Sequence, residues 1–357
     1  MAGLYIHIPF CLSKCRYCDF TSFAGKENLI PAYIKRLCAE MEKYRGMAFD
    51  TVFIGGGTPS CLPIKEMEAL LQAMEENFSF SPDAEMTCEM NPGTVNKGFL
   101  DILRRHGFNR ASMGMQAKNP RLLHILGRTH TFEQVMESVA LCKEAGFKNI
   151  NLDLMFGIPT QTLADVEEAL QSAIGLGANH VSCYGLIVEE HTPLEADIRL
   201  GKLELPDEET ERAMYDLAIA KLSAAGLLQY EISNFAKPGL ECRHNIGYWR
   251  RTPYLGLGLG AHSLLDETRF YNTDSLADYL SGRTIAEQEK ISPKEAHFET
   301  LMLGLRMNEG VPFDRRDEEK AKLLIAEGLL EIVANRLRLT RKGMDVQNRV
   351  LLGLMDD

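Results

Sequence analysis

The feature that most limits what this chain can become is a rhythm. Six short apolar runs, Leu4–Ile8, Thr51–Ile54, Ala84–Cys88, Arg110–Met115, Asn149–Met155 and His180–Leu186, recur about 30–40 residues apart on average. Between them lie stretches with helical spacing, the first running from Pro31 through Tyr33, Ile34, Leu37 and Met41. Alternation of that kind predicts parallel strands joined by helices that cover the sheet. The runs stop at or near glycine-rich or polar motifs. Gly55-Gly56-Gly57-Thr58-Pro59 follows the second, Glu89-Met90-Asn91-Pro92 the third and Gln116 the fourth. Phe156-Gly157-Ile158-Pro159 follows the fifth, and Glu189 and Glu190 lie beyond the sixth. In parallel α/β barrels the carboxyl ends of the strands form the active face. Six units are fewer than eight, so the expected fold is α/β, an open partial (β/α)6 barrel.

The first run leads into Pro9 and then Cys11, Cys15 and Cys18, spaced C-x3-C-x2-C. Proline ends a strand, and a loop can wrap three thiolates around one inorganic centre. Three ligands leave one iron of a four-iron cube without a protein sulfur, an open position where a metal centre does chemistry. Two alternatives stand beside this reading. One is a zinc site with His7 as fourth ligand; the other is three buried structural thiols. The nine cysteines of the chain are otherwise scattered, and a charge arrives by Lys14 with no signal peptide before it. That fits a reducing cytoplasm rather than a disulfide framework. A net charge of −11 makes the chain a poor generic binder of nucleic acid. The longest weakly charged run, Thr252–Leu265, is too short and glycine-rich to span a membrane.

The C-x3-C-x2-C loop after a first strand resembles the radical S-adenosylmethionine (SAM) superfamily. The start Y-I-H-I-P-F-C is similar to the branch that contains the oxygen-independent coproporphyrinogen III oxidases and a group of haem chaperones. The resemblance implies a radical SAM barrel and a [4Fe–4S] cluster on Cys11, Cys15 and Cys18. It also implies that SAM chelates the open iron through its amino and carboxylate groups and that the reduced cluster cleaves it to a 5′-deoxyadenosyl radical. Gly56, Gly57 and Thr58 match the loop that meets the amino group of SAM. Tyr5, Glu89, Gln116, Arg128 and Asp153 match further SAM-contacting positions, Arg128 toward the carboxylate and Asp153 toward the ribose. Ala117 stands where the family often has serine.

Two marks divide the branch. The oxidases usually carry a further cysteine two residues after the third cluster ligand and a long extension before the first strand; here position 20 is Phe20 and the first strand begins at Leu4. The run Cys242-Arg243-His244-Asn245-Ile246-Gly247-Tyr248-Trp249 contains the only tryptophan, and its H-N-x-x-Y-W pattern is similar to the haem-binding motif of the chaperones. The resemblance therefore implies a haem chaperone that hands haem to apo-proteins such as respiratory enzymes, with His244 as iron ligand and Cys242 and His262 as alternatives. The rival is oxidative decarboxylation of coproporphyrinogen III. The expected place is cytoplasmic, with peripheral association at the membrane left open.

Residues 1–228 are expected to form the barrel, 229–290 a connecting segment with the H-N-x-x-Y-W motif, and 291–357 a winged-helix-like domain. The barrel portion closes with an amphipathic helix, Asp207–Leu227. The last portion reads as a helix over Lys294–Asn308, another over Glu318–Glu327, a hairpin around Ala334-Asn335 and a final helix over Arg341–Met355. Glu318, Glu319, Lys320, Lys322 and Glu327 mix signs along its second helix, a solvated face rather than one that reads DNA. Gly256-x-Gly258-x-Gly260 lacks the spacing and the βαβ context of a dinucleotide loop and is expected to serve close backbone packing.

Overall fold

The computed structural model describes residues 2–355. Six parallel strands lie side by side in chain order: β1 (Gly3–Ile8), β2 (Ala48–Gly56), β3 (Ser79–Met90), β4 (Arg110–Gln116), β5 (Asn149–Phe156) and β6 (His180–Gly185). The crossovers carry α1 (Ile30–Met41), α2 (Ile64–Asn77), α3 (Lys97–Arg105), α4 (Pro120–Leu126), α5 (Phe132–Glu144) and α6 (Leu163–Gly175). The period-two alternation of each strand sorts its two faces. Leu4, Ile6 and Ile8 of β1 are fully buried in the main apolar core with Tyr33, Ile34 and Leu37 of α1. Tyr5 and His7 point the other way, into the barrel. On β5, Ile150, Leu152 and Leu154 join the core, and Asn151 and Asp153 face inward. The barrel is thus sealed outside by aliphatic packing and lined inside with polar groups.

The helices begin where local chemistry satisfies their first amide groups. Thr131 with Gln134 and Thr162 with Asp165 form reciprocal capping boxes at α5 and α6. Asn96 and Asn119 cap α3 and α4. Two more helices follow β6, α7 (Pro193–Arg199) and α8 (Glu208–Ala224), the latter capped by Asp207.

The segment 229–290, expected as a connection, together with Leu228 carries six strands of the same sheet. β8 (Asn234–Ala236) adds antiparallel to β6, and β7 (Leu228–Glu231) pairs antiparallel with β8 at the sheet edge. The chain then returns through α9 (Arg243–Trp249) to the far side of β1. There β9 (Tyr254–Leu257) pairs parallel with it, followed antiparallel by β10 (His262–Leu265), β11 (Thr268–Asn272) and β12 (Ile285–Lys290). A short helix, α10 (Leu276–Ser281), lies before β12. The glycine run closes this return: a Cβ on Gly256 would lie 2.1 Å from the His262 carbonyl oxygen, so the β9–β10 turn needs bare backbone.

The carboxyl-terminal portion has its own core, around Leu301, Leu305, Leu324, Leu337 and Val350. It consists of α11 (Pro293–Gly304), β13 (Val311–Pro312), α12 (Glu318–Ala326), β14 (Leu330–Val333), β15 (Arg336–Leu339), α13 (Arg341–Met344) and α14 (Gln347–Leu354). Ala334 and Asn335 both take positive φ, 49° and 60°, the turn that matches the twist of a tight hairpin. Two boundaries differ from expectation. α11 stops at Gly304, where the helix presses so closely on Val311 that a Cβ would sit 2.3 Å from its side chain. The final helix is two pieces, because Gly343 in the first is pinned against the Leu329 carbonyl and the chain restarts at Gln347. Arg306 joins this portion to the barrel: its guanidinium lies over the Trp249 ring at 4.5 Å and meets buried Glu231 at 3.6 Å.

Candidate functional site

The cysteine loop is held at both ends by backbone. Phe10–Cys11 pairs with Phe23–Ala24, and the amides of Gly57 and Thr58 donate to the carbonyls of Ile8 and Phe10 at 2.8 Å each. A Cβ on Gly57 would collide with those same carbonyls, so only glycine allows the approach. Cys11, Cys15 and Cys18 are half-buried and line a cavity of about 370 Å³ at the carboxyl ends of the strands. Thr58 Oγ1 donates to Cys11 Sγ and Arg128 Nη1 to Cys15 Sγ, each at 3.6 Å. Burial pushes the thiols of Cys11 and Cys18 up, and hydrogen bonds from Thr58 and Ser22 work against it at Cys11.

This donor set discriminates among the three readings of the loop. Among the described residues no three His, Cys, Asp or Glu side chains converge on a position for a single ion. His7, which a zinc site would need, meets Tyr5 Oη through Nδ1 and the Thr21 carbonyl through Nε2, at 2.9 Å each. Structural thiols would lie in the core, as Cys88, Cys142 and Cys183 do. Three half-buried thiols spread around one cavity, with hydrogen-bond donors at two of them, fit a polynuclear iron–sulfur cluster.

Seven of the eight residues matched to SAM contacts line the cavity with the thiols: Gly56, Gly57, Thr58, Glu89, Gln116, Arg128 and Asp153. Gly56 takes φ 104°, and its amide donates to Glu89 Oε2 at 3.1 Å. Burial and the neighbouring Asp153 raise the Glu89 carboxyl to about 7. Burial also raises Asp153, opposed by hydrogen bonds from Asn151 and Ser182. Gln116 sits at a register shift between β4 and β5 with φ 63°, a bulge that re-aims the end of the strand. Its Oε1 accepts from Tyr184 Oη at 3.0 Å. Arg128 Nη2 donates to Asn91 Oδ1 and to the Gly114 carbonyl, which fixes the guanidinium fork at the cavity wall. Tyr5 stands apart: it lines a second cavity beside the first.

Sequence reasoning passed over Asn91 and Tyr184. Asn91 bridges Thr58 and Arg128, donating to the first at 3.0 Å. Its signal was present, since it follows Glu89 at a strand end. Tyr184 carries no motif; only the inward phase of β6 marks it.

The H-N-x-x-Y-W helix closes the opposite end of the barrel. His244 is 3% exposed. Its amide donates to Glu85 Oε1, Nδ1 meets Thr51 Oγ1 at 2.9 Å, and Nε2 meets Tyr248 Oη at 2.9 Å. The ring stacks on Phe53 at 5.3 Å between centroids. Burial and Arg110 lower its pKa to about 3, so the imidazole is neutral. In this arrangement both ring nitrogens of His244 have hydrogen-bond partners. Cys242 is fully buried with its thiol against Glu85, and Trp249 is spent on Arg306. His262, the remaining alternative, is exposed at the edge of the second cavity.

Residues 5–173 match the family described as the Radical SAM superfamily, and residues 291–346 match the HemN C-terminal domain. A heme chaperone HemW of Mycobacterium tuberculosis (strain ATCC 25618 / H37Rv) is 37% identical, over 98% of this chain and 95% of the relative. Those of Bacillus subtilis (strain 168) and Escherichia coli (strain K12) are each 36% identical, the first over 98% of both chains, the second over 87% of this chain and 84% of its own. Among solved structures, coproporphyrinogen III oxidase (HemN) from Escherichia coli, described as a radical SAM enzyme, superposes with a TM-score of 0.85. It covers 99% of this chain and 89% of its own at 24% identity, a likeness of fold.

Proposed function

Since the chain belongs to the HemW family of the radical SAM superfamily, we propose that it binds haem and transfers it to target apo-proteins, respiratory enzymes among them. The observation that carries this reading is likeness over nearly the whole chain to relatives named as heme chaperones. Cys11, Cys15 and Cys18 would hold a [4Fe–4S] cluster, which supplies an open iron to the amino and carboxylate groups of SAM. The chain's own groups would do the rest. Arg128, its fork already set by Asn91 and Gly114, suits the SAM carboxylate. The Gly56-Gly57-Thr58 backbone suits the amino group, and Glu89 and Asp153 accept from an ammonium or from ribose hydroxyls.

Phe20 supports the chaperone over the oxidase. It stands at the cavity mouth, 62% exposed, where the oxidases usually carry a further cysteine. No described helix is long and apolar enough to cross a membrane, so delivery to a membrane enzyme would be a surface encounter. The test is transfer itself. Anaerobically reconstituted protein is loaded with hemin and mixed with an apo-haemoprotein, with and without the cluster, and the Soret band is followed. Stoichiometric binding and onward transfer are expected, without conversion of coproporphyrinogen III. Robust formation of protoporphyrinogen IX would install the oxidase reading instead.

A further inference from the structure

Behind Asp153 a line of buried polar groups crosses the barrel interior. Asn151 precedes it by two residues on the same face of β5 and is 1% exposed. Its Nδ2 donates to Asp153 Oδ1 at 2.7 Å and to Ser112 Oγ on β4 at 2.8 Å. Its Oδ1 accepts from the Ser182 amide at 3.1 Å and meets His180 Nδ1 at 2.7 Å. His180 opens β6 and is fully buried. Its Nε2 meets Tyr230 Oη on β7 at 2.8 Å, and that same oxygen accepts from the Cys242 amide, just before α9, at 3.3 Å. His180 thus stays clear of Asp153 itself, with Asn151 standing between them.

Two of these partners have only one possible role, and they set the direction of the others. An ionised carboxylate only accepts and a backbone amide only donates. Asn151 must therefore face Asp153 with its nitrogen and Ser182 with its oxygen. That oxygen, 2.7 Å from His180, requires the imidazole proton to sit on Nδ1. Burial and the charge of Arg110 push the His180 pKa well down, so the ring is neutral and Nε2 is bare. The Tyr230 hydroxyl then donates to Nε2, and every bond in the line runs donor-first toward Asp153. We infer that His180 is a positioning residue for SAM: its Nδ1–H locks the Asn151 amide, which aims the buried Asp153 carboxylate as an acceptor. The inference rests on Asp153 as the proposed partner of the SAM ribose and names what keeps it ready. Donors on a buried carboxylate favour its charged form, the form that accepts from hydroxyls. Without Nδ1–H, only Ser182 would hold the Asn151 oxygen away from Asp153.

The experiment compares His180→Asn with His180→Gln in full-length, cluster-reconstituted protein, by equilibrium binding of SAM. An asparagine amide nitrogen falls near the place of Nδ1 and a glutamine amide near that of Nε2. His180→Asn should keep the donor to Asn151 and bind SAM within about twofold of the wild type, whereas His180→Gln should bind it roughly three- to tenfold more weakly, the worth of one hydrogen bond. Asparagine leaves the larger void, so a residue that only filled space would give the opposite order. The second readout is a long-range proton–nitrogen correlation on protein labelled with 15N-histidine. One ring should show a protonated Nδ1 and a bare Nε2, and its signals should vanish in both variants. Tyr230→Phe, which removes the donor to Nε2, should let the other tautomer appear. A proton on Nε2 of His180 in the wild type would overturn the inference, as would equal SAM affinity in the two His180 variants. Failure of the wild-type protein to bind SAM would overturn the SAM reading and the role of His180 in it together, while the histidine signals would still report the tautomer.

Discussion

Glu89 is held between two opposing demands. It opens onto the cavity, yet it lies deep in the barrel beside Asp153, and its carboxyl is raised to about 7. The folded state therefore binds more protons than the unfolded chain between pH 4.5 and about 7. Stability from this group is fully present below pH 4.5 and is lost as pH rises through about 7. Against a Glu89→Gln reference, the apo-protein should lose roughly 1–3 kcal/mol across that window in denaturant titrations. SAM affinity should move the other way, rising with pH through the same range, because an ammonium or hydroxyl partner favours the ionised carboxylate. Truncating Asp153 to Ala should cost about 1–3 kcal/mol of SAM affinity by equilibrium binding, since its partners are left unpaired in a closed site. Glu89, Gln116 and Asp153 were marked by the resemblance of their motifs rather than by position alone: Glu89 and Gln116 lie at strand ends, Asp153 inside β5. His244 was legible as a special residue but not as a buried one. Its partners Thr51 and Glu85 lie on β2 and β3, and no local pattern says that α9 tucks beneath them.

At the scale of elements, the glycine loop after β2 fixes where the cysteine loop begins. A Cβ on Gly56 would approach the His7 ring to 2.4 Å at a φ of 104°. Gly56→Ala should destabilise by roughly 1–3 kcal/mol from backbone strain alone. It should also lower iron incorporation on reconstitution, although no cysteine has changed. The reconstituted native protein should be brown with about four iron and four sulfide per chain, and replacing Cys11, Cys15 and Cys18 together by Ala should abolish that chromophore. One equivalent of zinc without sulfide in the native protein would refute the cluster. The six parallel strands were readable because period two and the terminal motifs are local signals. β9 was not: Tyr254–Leu257 is four residues long with a glycine inside, and its hydrogen bonds go to a strand at the other end of the chain.

Across the whole molecule, the joint between barrel and carboxyl-terminal portion turns on Arg306. It stacks on Trp249 and neutralises Glu231, which is 0% exposed. Arg306→Ala strands that carboxylate, and removing one partner of a buried pair typically costs about 3 kcal/mol. The variant should therefore unfold earlier and expose the stretch between β12 and α11 to limited proteolysis, which the wild-type protein should resist. Two compact portions were legible from the change of pattern after Ser292. That the segment between them would extend the sheet on both flanks was not, because hydrophobic periodicity identifies strands and not their neighbours.

The parallel pairing of β9 with β1 also has a consequence in time. Gly3 bonds beside Tyr254, so β1 waits for a partner some 250 residues behind it in synthesis. At roughly 5–20 residues per second, that interval lasts about 10–50 s. Until then one side of β1 is a bare edge, the kind of surface on which nascent chains pair wrongly. The second cavity has no outer wall during the same interval, because β9 and β10 supply it. Maturation is therefore ordered by the topology: the second cavity closes only once the chain has been made past residue 262, whereas the cysteine loop lies wholly between β1 and α1.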